Sequence, residues 1–132
     1  MLFQILFLLS LYDQPDLKTI LPAKVVSVQD GDTITVEFSF RANIRLKDCW
    51  APETRTKDEA EKKKGLESKE FLKGLLKPGD DVIIEVPYSP NMSHSLTLSR
   101  ILGYVYKDLD GDNKPENISK EMVKAGMAKE NK

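Results

Sequence analysis

The chain has 132 residues, of which 40% are hydrophobic and 31% charged, a composition that fits one globular domain with a single core. Its 20 Lys and Arg residues nearly balance its 21 Asp and Glu residues, so bulk charge does not indicate a polyanionic partner such as nucleic acid. The single cysteine, Cys49, excludes an intramolecular disulfide and leaves the compartment open between secretion, the cell envelope and the cytoplasm.

An apolar run, MLFQILFLLSLY, occupies residues 1–12. It is too short for a transmembrane helix, which needs about 20 residues, and it lacks the basic start and the small residues of a signal-peptide cleavage site. Three interpretations of residues 1–22 stay open: an export signal, a mis-started reading frame, or an added strand or helix on the core. We therefore expect no transmembrane segment, and one domain at residues 23–132.

Three β-strands are predicted in the first part of that domain. Residues 24–28 and 33–38 are β-branched runs separated by the turn signal DGD, which is typical of a hairpin. A third run at residues 44–49 alternates between two faces and ends before Pro52, because proline cannot donate a hydrogen bond to a sheet.

A helix is predicted from a capping box at Thr56 and Glu59 to about Lys77. Its first turns are almost wholly charged, whereas its later turns carry an apolar stripe. The stripe consists of Leu66, Phe71, Leu72, Leu75 and Leu76. This helix should therefore pack on the barrel through its second half.

The rest of the chain predicts two more strands and a short helix. The strands are at residues 82–86 and 96–106, with Arg100 inside the second, and Ser119 is predicted to cap a helix that ends just before Gly126. This order of elements predicts an α+β, mainly β fold, a closed five-stranded β-barrel of the OB type. Closure of the barrel would remove the exposed sheet edges.

The loop after the fifth predicted strand carries alternating acidic residues, Asp108, Asp110 and Asp112, as calcium loops do. Its glycine, Gly111, is in the fourth place of the loop instead of the sixth, and no glutamate follows at the twelfth. A polar hairpin tip is therefore favoured over a metal site.

Four residues together offer the chemistry of phosphodiester hydrolysis. Asp32 can hold a hard cation, Arg45 and Arg100 can donate paired hydrogen bonds to phosphate oxygens, and Glu53 can take a proton from water. Each has a structural alternative, as a turn residue or a member of an ion pair. Their joint presence favours the functional interpretation.

Six short motifs occur in order between about residues 23 and 128. They are VQDGDT at 28–33, IRL at 44–46, APET at 51–54, GLESKEFL at 65–72, SRILGYVY at 99–106 and MVKAGMA at 122–128. Together they resemble the staphylococcal nuclease, or thermonuclease, family. That resemblance implies an OB-fold barrel with two or three helices that cleaves DNA, RNA or both with one Ca²⁺ ion, other divalent ions remaining open, and we expect a monomer.

The resemblance also implies roles for individual residues. Asp32 matches a calcium-binding aspartate, and Ala51 matches a position whose backbone carbonyl is a second calcium ligand. Arg45 and Arg100 match the two phosphate-binding arginines. Glu53 matches the glutamate that acts as general base on the attacking water.

Two departures from the family pattern leave alternatives open. Trp50 stands where the family has its second calcium-binding aspartate, and an indole cannot bind Ca²⁺. Asp48, two residues earlier, is either a replacement brought in by a small bulge or a plain surface carboxylate, in which case water would complete the calcium shell. Leu96, Thr97 and Leu98 also stand where well-known members of the family have an acidic, a basic and an aromatic residue that help hold the nucleotide. The competing functions are a catalytically weak or inactive OB-fold module that binds nucleic acid or protein, and a calcium-dependent enzyme for small phosphate esters.

Overall fold

The computed structural model describes residues 18–38, 41–87 and 100–132. The predictions for residues 1–12 and 96–98 lie outside the described residues. The strands are β1 (Lys18–Asp30), β2 (Thr33–Glu37), β3 (Arg41–Leu46), β4 (Asp81–Pro87), β5 (Ile101–Lys107) and β6 (Glu116–Asn117), and the helices are α1 (Glu59–Leu75) and α2 (Ile118–Lys124). No helix within these described ranges has the length and apolarity needed to span a membrane.

The first five strands close into a barrel. Strands β1, β2 and β3 form an antiparallel meander, and β1 also pairs with β4, which pairs with β5. Closure comes from a parallel pairing of β3 with β5, in which Ile44 lies opposite Ile101 and Leu46 opposite Gly103. A five-stranded mixed barrel with two helices confirms the predicted OB-type, mainly β fold.

Strand β1 serves two neighbours because it bends. Its first half pairs with β4 and its second half with β2, and register shifts occur between Val25 and Ser27 and between Val28 and Asp30. Such β-bulges increase twist and turn a strand toward a new partner. The predicted strand at residues 24–28 is thus one part of a longer strand that runs through residues 22 and 23.

The core fills the barrel and extends under both helices. Fully or nearly fully buried side chains come from every barrel strand and each helix: Val25, Ile34, Ile44, Ile84, Val105, Leu72 and Met122. Burying each such side chain contributes about 1.5–3 kcal/mol to stability. Cys49 is also buried in this core, where it packs as a small hydrophobic residue, and burial raises the pKa of its thiol to about 12.

Helix α1 begins at a different cap from the predicted one. The Asp58 carboxylate accepts hydrogen bonds from the backbone N–H groups of Ala60 at 3.0 Å and Glu61 at 3.2 Å, so Asp58 is the N-cap. Thr56 instead accepts a bond from the N–H of Asp58. The prediction of Thr56 as the N-cap was wrong. Thr56 and Asp58 are both residue types that cap helices, but only Asp58 lies where its side chain reaches the free N–H groups of the first turn.

The inner face of α1 also differs from the predicted stripe. Leu72 and Leu76 are buried as expected, but Leu66 is 46% exposed. Gly65 and Ser68 are buried instead. This part of the helix packs on loop backbone, which small residues allow and a leucine does not.

The later elements are confirmed with two corrections. Asn117, and not Ser119, caps α2, since its side chain accepts from the N–H of Lys120 at 3.3 Å. Gly126 follows the helix at φ +74°, a left-handed conformation that favours glycine, as predicted. Arg100 lies one residue before β5 and not inside it.

Candidate active site

The turn between β1 and β2 holds Asp32 against two other parts of the chain. At Gly31, a Cβ atom would lie 2.0 Å from Ser68 Oγ and 2.9 Å from Ala51 Cβ. The turn therefore packs directly on α1 and on the segment at residue 51, with no room for a side chain. Ser68 Oγ is itself fixed by donating to the carbonyl of Met127 at 2.8 Å.

Asp32 is a buried carboxylate with partners on both oxygens. Oδ2 accepts from the backbone N–H of Ala51 at 3.2 Å, and Oδ1 accepts from Thr33 Oγ1 at 3.1 Å. Arg45 Nη2 lies 3.6 Å from Oδ2. Burial, followed by a hydrogen bond with the Asp30 side chain, raises the pKa of Asp32 to about 6, although the charge of Arg45 opposes this shift.

Arg45 projects from β3 and is held by backbone. Its Nη1 donates to the carbonyl of Leu46 at 2.7 Å and to that of Cys49 at 2.6 Å. The guanidinium carbon lies 4.6 Å from the centre of the Trp50 ring, and the side chain is only 13% exposed. These contacts fix the direction of the guanidinium and leave its Nη2 side toward Asp32.

The segment between β3 and Pro52 is a turn, not a continuation of the strand. Asp48 has φ +55°, so the expectation that it shares a strand with Trp50 was wrong. Its carboxylate accepts a hydrogen bond from the Tyr104 hydroxyl, and it lines a surface pocket of about 470 Å³ together with Tyr104 and Ser119. A metal-binding role for Asp48 stays a prediction.

Glu53 follows this turn and is exposed. Its backbone lies against α1 at Gly65, where a Cβ atom would be 2.7 Å from the Glu53 carbonyl oxygen and 2.8 Å from the Pro52 carbonyl oxygen. The N–H of Ala51 binds Asp32, so the same segment is anchored at both ends. The contacts with α1 and with Asp32 therefore fix the backbone position from which the Glu53 side chain extends.

Arg100 is exposed and immediately precedes β5. In the parallel pairing of β3 with β5, Leu102 lies opposite Arg45. Arg100 precedes the strand by one residue, so this pairing brings its backbone near β3 but does not set the direction of its side chain. A shared face for the two arginines stays a prediction.

Sequence reasoning missed the small residues that bring these groups together, namely Gly31, Gly65 and Ser68. A glycine in a helix interior destabilises the helix by about 1 kcal/mol relative to alanine. Gly65 therefore carried a signal, because such a residue usually has a packing reason.

A separate acidic cluster lies in the loop between β5 and β6. Carboxylate oxygens of Asp108, Asp110, Asp112 and Glu116 lie within 4.8 Å of one another, a grouping that could hold a metal ion. Loop N–H groups already bind some of these oxygens, for example that of Gly111 to Asp108 at 2.9 Å. The loop joins two antiparallel strands, as the predicted hairpin tip requires.

The family model for staphylococcal nuclease homologues matches residues 43–132, a stretch that contains Arg45, Ala51, Glu53 and Arg100 and starts after Asp32. A search of curated proteins gave no match. Because the family model covers more than half of the sequence, this chain belongs to the staphylococcal nuclease homologue family.

Proposed function

We propose that the protein is a metal-dependent nuclease that hydrolyses phosphodiester bonds of DNA, RNA or both. The observation that carries the proposal is the convergence around Asp32, with Arg45 Nη2 at 3.6 Å and the N–H of Ala51 at 3.2 Å. Membership of a nuclease-type family supports the reaction class. Glu53, two residues after Ala51, supplies the proposed base.

The residues around Asp32 suit a hard divalent cation. The carboxyl groups of Asp30 and Asp32 lie at the same turn, where the N–H of Asp32 donates to Asp30 Oδ1 at 3.3 Å, and burial raises the pKa of Asp32 more than the charge of Arg45 lowers it. Oxygen ligands of this kind are those that Ca²⁺ prefers, with Mg²⁺ or Mn²⁺ as alternatives. In this proposal Asp32 and the backbone carbonyl of Ala51 hold one Ca²⁺ ion, and Asp48 contributes only if its turn rearranges.

When bound, Ca²⁺ would offset negative charge on the phosphoryl oxygens. Arg45 and Arg100 would donate hydrogen bonds to those oxygens, and these bonds strengthen as charge develops in the transition state. Because Arg45 Nη1 serves two carbonyls, the Nη2 side is the part of this guanidinium proposed for the phosphate.

Glu53 is proposed to act as general base. Its carboxylate takes a proton from a water molecule while the water oxygen bonds to phosphorus. The bond from phosphorus to one ester oxygen then breaks, and the leaving oxygen takes a proton from solvent. The exposed position of Glu53 supports this role, since the base must reach a water molecule.

A second candidate function is a binding module with weak or no catalysis. Trp50 favours it, because the indole occupies a position where the family pattern has a calcium-binding carboxylate and stacks on Arg45 at 4.6 Å. Such a protein would keep the affinity of the site for nucleic acid or a protein partner. Hydrolysis would be weak or absent, with or without a metal ion.

Cleavage assays distinguish the two functions. Purified protein is incubated with single-stranded DNA or RNA and Ca²⁺, Mg²⁺, Mn²⁺ or EDTA, beside Glu53→Gln and Arg100→Ala. The nuclease proposal expects metal-dependent cleavage that falls about a hundredfold or more in each variant. Equal, faint activity in all three proteins would indicate contamination and favour the binding module. Circular dichroism of each variant provides the folding control.

A further inference from the structure

Trp50 is the only tryptophan in the chain, and its side chain is 40% exposed at the edge of the candidate active site. Among the described residues, Leu66 on the outer face of α1 is the other exposed large hydrophobic side chain. A single exposed apolar side chain is common on protein surfaces, so only its surroundings can indicate a role. For Trp50 those surroundings are cationic.

The indole is held in place by backbone and by charge. The N–H of Trp50 donates to the carbonyl of Lys129 at 2.7 Å, and the N–H of Lys129 donates back at 3.0 Å. The Arg45 guanidinium lies 4.6 Å from the ring centre and the Lys132 ammonium 5.5 Å from it. The ring is therefore positioned before any ligand arrives, which lowers the entropy cost of binding.

An aromatic surface beside cationic groups is the arrangement that binds single-stranded nucleic acid. Bases stack on aromatic rings whatever their sequence, while basic side chains contact the phosphates. A base paired inside a duplex does not offer its face to an outside ring, whereas an unpaired base does. Since one sugar joins a base to its phosphate, a base on Trp50 would have its phosphate within reach of Arg45.

We propose that Trp50 is a stacking platform for an unpaired nucleobase next to the bound phosphate. This inference rests on the proposed function, because it takes Arg45 as a phosphate ligand. Trp50 then contributes to the affinity for the substrate, whereas an aspartate at the same position would contribute to the affinity for the metal ion. Lys132, exposed beside the ring, would add a contact to a neighbouring phosphate.

The first test uses the wild-type protein and its own fluorescence. With EDTA present to prevent cleavage, a single strand of about ten nucleotides, oligothymidylate or oligouridylate, is titrated into the protein with selective excitation of the indole. Stacking predicts quenching of Trp50 emission by both single strands and little change with a duplex of equal length. Binding detected by anisotropy of a labelled strand with unchanged Trp50 emission would overturn the stacking role.

Variants separate stacking from an effect through Arg45. Trp50→Ala should weaken single-strand binding about tenfold, equivalent to about 1.4 kcal/mol, and Trp50→Phe should retain most of the affinity. Leu66→Ala, a matched loss of an exposed apolar side chain, should bind like the wild type. An abasic strand of equal length should bind Trp50→Ala and wild type equally, and a tenfold loss there would assign Trp50 to positioning Arg45 instead.

These outcomes are separable from the nuclease proposal. Metal-dependent cleavage with equal single-strand affinity in wild type and Trp50→Ala would overturn the stacking role and leave the nuclease standing. Quenching and a tenfold affinity loss without any cleavage would support stacking in a binding module. Absence of both binding and cleavage would overturn both proposals.

Discussion

The contact between α1 and the turn that carries Glu53 can be tested with two glycines of the same helix. Gly65 packs against the backbone of residues 52 and 53, whereas a Cβ at Gly74 would have nothing within 4 Å. Gly65→Ala and Gly74→Ala add the same methyl group to the same helix. Only the first meets the active-site turn, so the pair isolates that contact.

The two variants are expected to change the stability of the protein in opposite directions. In a helix, alanine is more stable than glycine by about 0.5–1 kcal/mol, and Gly74→Ala should gain about that much stability. The Cβ of Gly65→Ala would lie 2.7 Å from the Glu53 carbonyl oxygen, short of the 3.4 Å of an ordinary contact, and backbone cannot rotate away. Overpacking costs about 1–3 kcal/mol, so we expect a net loss of about 1–2 kcal/mol.

Urea unfolding measures the change in stability, and the cleavage assay measures the change in hydrolysis. Displacement of the turn should lower hydrolysis about tenfold or more in Gly65→Ala, because a shift of about 1 Å at a catalytic group can cost a hundredfold. Gly74→Ala should cleave like the wild type. If Gly65→Ala is as stable and as active as Gly74→Ala, then α1 does not set the position of Glu53, and the reasoning is wrong.

Four further predictions concern stability, measured by urea unfolding. Asp58→Ala should lower the free energy of unfolding by about 1 kcal/mol, and Thr56→Ala should lower it by less. The reverse order would mean that Thr56 is the N-cap of α1. Lys107→Met should cost about 2 kcal/mol, since Nζ binds the last carbonyl of α1 at 2.8 Å and Asp80 at 2.7 Å. Burial alone would raise the pKa of Asp80, but hydrogen bonds, first the one from Lys107, lower it below its usual value. The carboxylate therefore stabilises the fold above its unfolded pKa of about 4, and this stabilisation is lost as pH falls. Asp80→Asn should therefore destabilise at about pH 7, and its difference from the wild type should shrink as pH falls below about 4; a difference that does not change with pH would exclude the ion pair as the cause. Arg45→Met should cost about 2–4 kcal/mol by leaving two carbonyls unpaired, and a neutral effect would contradict their burial.

The barrel strands were predictable because their signals are local. β-branched runs, the turn at residues 30–32 and the left-handed Gly126 each depend on neighbours in sequence. The bend of β1 was not predictable in the same way. Its two halves pair with different strands, and the partner of the first half is distant in sequence, with Lys24 opposite Asp81. Nothing in residues 18–24 identifies β4 as that partner.

The residues of the candidate site could be named from the sequence, but the contacts that hold them could not. Asp32 and Arg45 were expected on chemical grounds, whereas their contact at 3.6 Å depends on the β2–β3 register. The turn at Asp48 was missed because the alternating pattern of residues 44–49 continues past the real end of the strand. Sequence periodicity does not report a residue at positive φ unless that residue is glycine.

Backbone contacts explain how position 50 can carry an indole while the arrangement around it persists. The carbonyls of Leu46 and Cys49 bind Arg45, and Asp32 binds the N–H of Ala51, and none of these hydrogen bonds uses the side chain at residue 50. The backbone of Trp50 is fixed in turn by Lys129. Exchanging a carboxylate for an indole in such a frame changes what the position binds without moving its neighbours. Metal affinity and base stacking are therefore separable properties of one turn, and a variant at Trp50 can test the second while leaving Asp32 and Glu53 in place.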